Sequence, residues 1–322
     1  MKSHFKGIAV LIASLAIIVG AIIIWPKGNE NASIISTSFV GYDFARAVTG
    51  DKNDVAMLIK PGAEMHTYEP TPQDIIRIKN AKLFIYIGGE SEEWVEDLLV
   101  DNNIPNEKCI RLMDYVGLKE EVIKDGIESD EEEGDDEEET EYDEHIWTSV
   151  ENSIHLVEAI RDKLNIIDAD KQEMFAKNTE NYTKRLRKID SDLRNTISNV
   201  DVDKRVMIFG DRFPFRYFAD EYSLDYYAAF PGCSDQTEAS ASTISFLIKK
   251  AKELNAKAIF KIEMTDSKLA DTIAKEVGAK VYTLNAAHNI SAADFNRGVT
   301  YADIMALNLK TIKEVFDDAG NN

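Results

Sequence analysis

Short apolar runs alternate with amphipathic segments along most of this chain. In the first half, four runs predict buried strands, because each is short, apolar and bounded by polar or glycine-containing turns. These runs are residues 34–39, 55–59, 81–87 and 109–112. Apolar residues at helical spacing predict helices at residues 42–48, 73–78 and 94–100. Strands and helices that alternate over short connections indicate a parallel sheet covered by helices on both faces.

The second half of the chain repeats this alternation. Its predicted strands are residues 206–209, 226–230, 258–262 and 280–284, and its predicted helices are residues 243–254, 267–277 and 301–316. Between the halves, the spacing of apolar residues predicts one long polar helix up to about Asn199, with Asp168 as its N-cap. About 30 helical residues span on the order of 45 Å, which favours a strut between two lobes.

The predicted fold is therefore α/β, with two lobes that each contain a central parallel sheet flanked by helices. One long, rigid helix joins the lobes. The expected division is an N-terminal segment of residues 1–32, a first lobe of residues 33–166, a linking helix of residues 167–199 and a second lobe of residues 200–322. In such sheets, ligands bind at the loops beyond the carboxyl ends of the strands.

The N-terminus differs from the rest of the chain. Lys2 and Lys6 precede an apolar run from Ile8 to Trp25, which is typical of a signal sequence or a membrane anchor. The run approaches the roughly 20 residues that span a bilayer, and its basic flank would stay in the cytoplasm. We find no Ala-x-Ala-like cleavage site directly after it, so an uncleaved anchor is favoured over secretion. The remainder is expected on the extracytoplasmic face of the membrane.

Charge is concentrated in one segment. The 322 residues carry a net charge of −21, which argues against a nucleic-acid partner. Residues 128–144 include thirteen acidic residues and no basic ones, which predicts a disordered loop. This loop is either a solubilising insertion or a weak collector of cations. The two cysteines, Cys109 and Cys233, exclude a disulfide scaffold and leave one bridge open.

Three of the five histidines lie in loops beside predicted strands or helices. His66 follows the strand at residues 55–59, His145 precedes a helix with Ser149 as its expected N-cap, and His288 follows the last strand. His155 lies within a helix and is interpreted as structural. Their spacing matches neither a zinc finger nor a helical His-Glu-x-x-His site. We also find no glycine-rich phosphate loop and no nucleophile elbow.

Two motifs resemble those of a known family. Pro-Gly-x-Glu-x-His-x-Tyr-Glu-Pro-Thr-Pro at residues 61–72 and Asp-Glu-His-Ile-Trp-Thr-Ser at residues 143–149 are similar to two metal motifs of extracellular lipoproteins. These lipoproteins, the cluster A-I substrate-binding proteins, serve ATP-binding-cassette transporters for zinc or manganese. Residues 217–222 and 300–309 resemble weaker regions of the family, and the resemblance covers roughly residues 33–317. It implies a metal ion in the cleft between two lobes.

The resemblance also implies four ligands, two from each lobe. His66 and His145 correspond directly, His288 occupies the loop of the fourth ligand, and Asp211 stands where the family has His or Glu. The implied metal ligands are therefore His66, His145, Asp211 and His288. Glu64 and Glu263 are expected either as additional ligands or as acceptors that orient the imidazoles.

The expected function is that of a membrane-tethered solute-binding protein. It would capture a divalent metal and deliver it to the permease subunits of an importer as a monomer, without enzymatic activity. Three imidazoles and one carboxylate suit zinc, while manganese, the alternative, prefers more oxygen ligands. The family's lipid-carrying cysteine is missing, and the N-terminal helix would replace it. Two other functions stay open: a zinc hydrolase with Glu64 or Glu263 as base, and a metal-buffering surface adhesin based on the acidic loop.

Overall fold

The computed structural model describes residues 32–51, 54–63, 65, 67–122, 124, 126, 141–234, 239–266 and 268–320. The N-terminal apolar run, most of the acidic segment, Glu64 and His66 lie outside these residues. Among the helices that are described, none combines the length and the apolar character needed to cross a membrane.

A four-stranded parallel sheet with the strand order β2-β1-β3-β4 forms the centre of the first half. Its strands are β1 Ile34–Ser36, β2 Val55–Met57, β3 Leu83–Tyr86 and β4 Cys109–Arg111. Ile35 of β1 pairs with Ala56 on one side and Phe84 on the other. Strand β1 ends before the predicted Phe39, because the Ser38 side chain accepts a hydrogen bond from the Gly41 amide and begins a helix there.

Four helices cover this sheet: α1 Phe39–Thr49, α2 Pro72–Asn80, α3 Glu93–Asp101 and α4 Val150–Ile167. Helix α2 begins with a capping box, in which Thr71 and Asp74 exchange side-chain to backbone hydrogen bonds. Helix α4 begins at the predicted N-cap, Ser149, whose side chain accepts a hydrogen bond from the Asn152 amide. This cap fixes the end of the segment that carries His145.

The long helix is α5, Gln172–Ser198, with 27 residues and a length of about 40 Å. It packs against α4, α1 and the last helix of the chain. The prediction of Asp168 as its N-cap is wrong. The Asp168 amide donates to Leu164 and closes α4, and a turn of 3₁₀ helix, Ala169–Lys171, separates the two helices.

The second half contains two pairs of parallel strands: β5 Val206–Ile208 with β6 Asp225–Tyr227, and β7 Ala258–Lys261 with β8 Lys280–Thr283. An isolated parallel bridge between Phe209 and Phe260 connects the pairs. The helices are α6 Arg216–Tyr222, α7 Ala241–Glu253, α8 Lys268–Val277, α9 Ala292–Arg297 and α10 Tyr301–Gly320. The carboxyl ends of β7 and β8 lead into the loops of Glu263 and His288.

One apolar core runs through both halves and includes Phe44, Trp147, Leu186, Phe215 and Tyr301. A buried carboxylate, Asp43, joins three helices within it. Asp43 of α1 accepts a hydrogen bond of 2.6 Å from the Tyr182 hydroxyl of α5 and one of 2.9 Å from the Tyr301 amide of α10. It also pairs with Arg46. The two halves are therefore joined by polar as well as apolar contacts.

A second buried carboxylate, Glu92, supports the loop after β3. It is 1% exposed and accepts hydrogen bonds from the amides of Ile87 at 2.6 Å and Gly88 at 2.9 Å. Burial raises the pKa of Glu92 to about 7, above its ordinary 4.5, although hydrogen bonds from Thr37 and the Gly88 amide oppose the rise. Between pH 4.5 and about pH 7, Glu92 is thus protonated more often in the folded state than in the unfolded state.

Stability should therefore fall as pH rises through this window. We expect Glu92→Gln, which keeps an oxygen acceptor, to remove this fall. Between about pH 4.5 and about pH 7, its free energy of unfolding should therefore rise relative to that of the wild type by up to about 3 kcal/mol. Urea unfolding across this range measures the difference. Glu93→Gln, at an exposed neighbouring position, is the matched control. Parallel stability curves for Glu92→Gln and the wild type would contradict the prediction.

Candidate metal centre

The short segment that precedes α4 holds the His145 imidazole in position. The Asp143 carboxylate accepts a hydrogen bond of 2.8 Å from the His145 amide and lies 3.2 Å from Nδ1 of the ring. Both side chains are buried. Burial lowers the pKa of His145, but the charge and hydrogen bond of Asp143, together with the charges of Glu144 and Glu121, outweigh this effect and the pKa is raised. A carboxylate on Nδ1 sets the ring orientation and leaves Nε2 as the nitrogen available to a metal ion.

The loop after β8 presents His288 from the opposite side. Glu263, which follows β7, accepts a hydrogen bond of 2.7 Å from the Ala286 amide. Ala287 adopts a left-handed backbone with φ of 55°, and its amide donates to the Asn285 side chain at 2.7 Å. These contacts fix the backbone conformation of the loop up to His288.

Trp147 connects the two histidine segments. Its indole Nε1 donates a hydrogen bond of 2.7 Å to the carbonyl of Ala286, and its ring stacks on His288 with centroids 5.8 Å apart. Its own carbonyl accepts a hydrogen bond of 2.7 Å from the Tyr301 hydroxyl. The first half of the chain thereby positions the imidazole that the second half supplies.

His145 and His288 meet edge to face, with ring centroids 5.1 Å apart. Together with Glu144 they form a group in which one ligand atom from each residue lies within 4.8 Å of the others. Ligand bonds of about 2.0–2.2 Å place the atoms around a tetrahedral zinc roughly 3.5 Å apart. Small side-chain rotations would therefore close this group on one ion.

Glu144 is a member of this converging group that sequence reasoning missed. It is fully buried, and Ser91 donates to its carboxylate from the hydroxyl, at 2.7 and 2.8 Å, and from the amide, at 3.2 Å. A side chain at Gly89 would lie 2.2 Å from that carboxylate, so glycine is required there. The available signal was its position directly before His145, which the surrounding acidic segment obscured.

The predicted ligand Asp211 has other contacts. Its carboxylate accepts hydrogen bonds from the amides of Arg212 at 2.9 Å and Ile262 at 3.1 Å, and from the Thr265 hydroxyl. These bonds tie the end of β5 to the exit of β7. Asp211 lies outside the group of converging ligand atoms in the described part of the chain, and its role as a ligand stays a prediction.

Glu263 also lies outside that group. Burial raises the pKa of its carboxyl to about 7, although the amides of Ala286 and His288 donate to it and lower the value. The side chain thus supports the backbone that carries His288. Of the two roles expected for Glu263, this contact fits the one in which it orients an imidazole.

His66 and Glu64 lie outside the described residues, but the backbone just before them is described. The Asn289 side chain accepts a hydrogen bond of 3.3 Å from the Gly62 amide and donates one to the Ala63 carbonyl. Asn289 directly follows His288 in sequence. Gly62 and Ala63, at the beginning of the first motif, are therefore hydrogen-bonded to the loop that carries His288.

A second group of acidic residues, Glu151, Asp190 and Glu221, also has converging ligand atoms. Arg194 occupies it. The guanidinium lies 2.6 Å from Glu221, 2.9 Å from Asp190 and 3.5 Å from Glu151. This group is therefore an ion-pair network rather than a cation site.

The sequence as a whole matches one protein family. A sequence model described as zinc-uptake complex component A, periplasmic, or ZnuA, matches residues 34–315. The chain belongs to the ZnuA family. The family predicted from the two motifs is confirmed.

Curated relatives support the same assignment. The zinc-binding lipoprotein AdcA of Streptococcus pneumoniae is 31% identical over 320 residues, which are 98% of this chain and 62% of that protein. This chain thus spans less than two thirds of the AdcA length. The high-affinity zinc uptake system protein ZnuA of Bacillus subtilis is 29% identical over 325 residues, which are 98% of both chains.

Solved structures of similar proteins share the fold. The Zn(II)-bound ZnuA-like domain of Streptococcus pneumoniae AdcA has a TM-score of 0.72 and 30% identity, over 88% of this chain and 98% of that one. The metal-dependent lipoprotein YcdH of Bacillus subtilis has the same TM-score and identity, over 88% of this chain and 99% of that one. The predicted α/β fold with parallel sheets flanked by helices is confirmed.

Proposed function

We propose that this chain is an extracytoplasmic solute-binding protein that captures a divalent transition metal and delivers it to an ATP-binding-cassette importer. The observation that carries the proposal is the meeting of His145 and His288, beside the buried Glu144. The two imidazoles come from segments of different halves, in a chain of the zinc-uptake family. A site made in this way binds an ion through residues of both halves at once.

Zinc is the proposed cargo, with manganese as the alternative. Imidazole ligands suit zinc, while manganese prefers carboxylate, carbonyl and water oxygens. His145 and His288 supply two nitrogen ligands, and His66 of the first motif is the proposed third. Glu144 offers a negative charge next to them, held in place by Ser91. Relatives named for zinc binding and a Zn(II)-bound structural neighbour support this choice.

The protein's own residues prepare the site before an ion arrives. Asp143 fixes the His145 ring, Trp147 stacks behind His288, and Glu263 holds the loop between β8 and His288. Because these groups are already hydrogen-bonded, little ordering is needed when the ion exchanges its water for imidazole nitrogen. Preorganisation of this kind raises affinity by lowering the entropy cost of binding.

The proposed location is the extracytoplasmic face of the membrane. The apolar run at residues 8–25 would anchor the chain there or serve as a cleaved signal. The proposed division places lobes at residues 33–166 and 200–322 on either side of the linking segment 167–199. Permease subunits of the importer are the proposed partners, and the strongly acidic chain would act as a monomer without nucleic acid.

Elemental analysis of the chain purified without added metal tests this proposal. We expect about one zinc per chain, and a double variant, His145→Ala with His288→Ala, should contain none. Manganese in place of zinc would correct the cargo and keep the capture function. A wild-type chain that holds no metal and takes up none after incubation with zinc would overturn the proposal.

Asn289 gives a further prediction, because it fastens the first motif to the His288 loop without being a ligand. We expect Asn289→Ala to weaken zinc binding by about tenfold, the lower range for residues that position ligands. Competition with a chromogenic zinc chelator measures the change. Asn195→Ala, at an exposed position on α5, is the control. Equal affinity in the two variants would mean that Asn289 does not couple the loops.

A further inference from the structure

A short two-stranded ribbon beside the candidate metal centre belongs to the first half of the chain but lies on the second half. Its two segments, residues 119–121 and 141–143, run antiparallel, and the Asp143 amide donates a hydrogen bond of 2.9 Å to the Lys119 carbonyl. The Tyr217 hydroxyl of α6 accepts a hydrogen bond of 3.1 Å from the Lys119 amide and donates one of 2.8 Å to the Asp143 carbonyl. The ribbon therefore connects the two halves within two residues of His145.

The Glu121 side chain adds a second contact between this ribbon and the second half. Its carboxylate accepts a hydrogen bond of 3.0 Å from the Gly232 amide, in the loop after β6. The Arg212 guanidinium donates one of 3.0 Å to the Ser234 carbonyl of the same loop. A cavity of about 10 Å³ lies between Glu121, Asp143 and Gly232, which is at most enough for one water molecule. The loop and the ribbon are therefore in close contact.

Gly232 lies directly against the His145 ring. A methyl group added to Gly232 would lie 3.3 Å from Cε1 and Nδ1 of His145, and 3.1 Å from the Phe213 carbonyl oxygen. A side chain at this position would require the ring to move. The backbone at Gly232 thus limits where the imidazole can lie, and the Glu121 carboxylate holds this backbone through its amide.

The ribbon supports the same ring by a second route. Asp143, its last residue, accepts a hydrogen bond of 2.8 Å from the His145 amide and lies 3.2 Å from Nδ1 of the ring. Tyr217 in turn donates to the Asp143 carbonyl. The His145 imidazole therefore depends on the ribbon both for the carboxylate on Nδ1 and, through Glu121, for the backbone packed against its ring.

We propose that Glu121 is a positioning residue of the metal centre, because its hydrogen bond to the Gly232 amide holds the loop after β6 against the His145 imidazole. This inference rests on the proposed function, in which His145 binds the captured metal. Among the described residues, Glu121 lies outside the group of converging ligand atoms, so it acts through Gly232 and not as a ligand. A ring already held in place has less freedom to lose when zinc binds, which raises affinity.

Two substitutions of Glu121 separate its hydrogen bond from its charge. Glu121→Gln removes the negative charge but keeps an oxygen that accepts from the Gly232 amide. Glu121→Ala removes both. A role in positioning predicts that Glu121→Gln retains most of the zinc affinity that Glu121→Ala loses, whereas an attraction between the carboxylate and the metal ion predicts similar losses in the two variants.

Zinc titration of the full chain in the presence of a competing chelator tests the inference. We expect Glu121→Ala to bind zinc at least about tenfold more weakly than the wild type, the lower range for residues that position ligands. Lys119→Ala removes a 2.6 Å ion pair between the same ribbon and Asp220 of α6 and should cost less affinity. Glu120→Ala, at an exposed position on the ribbon, should bind zinc like the wild type.

Nitrogen-15 NMR of the imidazoles in the metal-free chain provides a readout that a general loss of stability would not change. In Glu121→Ala, the ring resonances of His145 should shift or broaden, because the Gly232 backbone no longer holds the ring. The resonances of His155, which is exposed on α4, should stay where they are. Glu121→Gln should restore the His145 resonances to nearly their wild-type positions.

The outcomes separate this inference from the function on which it rests. Equal zinc affinity in Glu121→Ala and the wild type would overturn the role of Glu121 and leave metal capture intact. Equal losses in Glu121→Ala and Glu121→Gln, or in Glu121→Ala and Lys119→Ala, would overturn it as well. A wild-type chain that binds no zinc would contradict the proposed function itself.

Discussion

Replacing His288 with alanine should weaken zinc binding by more than about a hundredfold. Zinc sites with four protein ligands are worth roughly 10–16 kcal/mol, so one ligand contributes about 3 kcal/mol, which exceeds two factors of ten in affinity. His288 is the better choice for this test than His145. His288 is partly exposed, whereas His145 is fully buried against Trp147. Removing the His145 side chain would therefore disturb the fold more than removing that of His288.

His155→Ala is the matched control for this experiment. His155 lies on α4 and is exposed, so its loss should leave zinc affinity unchanged while removing the same functional group. Isothermal titration of zinc into the three proteins gives the affinities directly. If His288→Ala and His155→Ala bind zinc equally tightly, His288 is not a ligand and the site lies elsewhere.

Replacing Asp43 with alanine should lower the free energy of unfolding by about 3–5 kcal/mol, the range for removing one partner of a buried ion pair. Asp43 is fully buried. Its loss leaves the Arg46 guanidinium, the Tyr182 hydroxyl and the Tyr301 amide without their acceptor. Burial raises the pKa of Asp43 even though Arg46 lowers it, which reflects how completely water is excluded there.

Two further variants define what this experiment measures. Asp43→Asn keeps an oxygen acceptor and should lose less stability than Asp43→Ala. Asp162→Ala removes an exposed partner of Arg161, and surface pairs of this kind are worth at most about 1 kcal/mol. Urea unfolding followed by circular dichroism compares them. Similar midpoints for Asp43→Ala and Asp162→Ala would show that the buried contacts of Asp43 between α1, α5 and α10 stabilise the fold no more than an exposed ion pair does.

The buried hydrogen bonds of Asp43 are also connected to the candidate metal centre. The Tyr301 amide contacts Asp43, and the hydroxyl of the same residue donates to the Trp147 carbonyl. Trp147 in turn contacts both Ala286 and His288. The buried contacts of Asp43 and the residues that support the site thus form one continuous set of contacts between the two halves.

Most of the fold could be predicted from the pattern of apolar residues, because buried parallel strands are apolar along their whole length. Errors arose where a local hydrogen bond ends an element. Phe39 looked like part of a strand, yet the Ser38 cap makes it the first residue of a helix. Asp168 looked like an N-cap, but its amide closes the preceding helix.

The site was harder to predict than the fold. His145 and His288 are far apart in sequence, and no spacing rule joins them, so their meeting required the family motifs. Asp211 has the right chemistry for a ligand, but its hydrogen bonds to the exit of β7 appear only in three dimensions.

Anomalous scattering at the zinc edge from crystals of the chain grown with zinc tests the central claim most directly. We predict one peak bonded to Nε2 of His145 and to a ring nitrogen of His288 at about 2.0–2.1 Å. A zinc ion bound instead at Glu151, Asp190 and Glu221, or one that contacts neither His145 nor His288, would contradict the account.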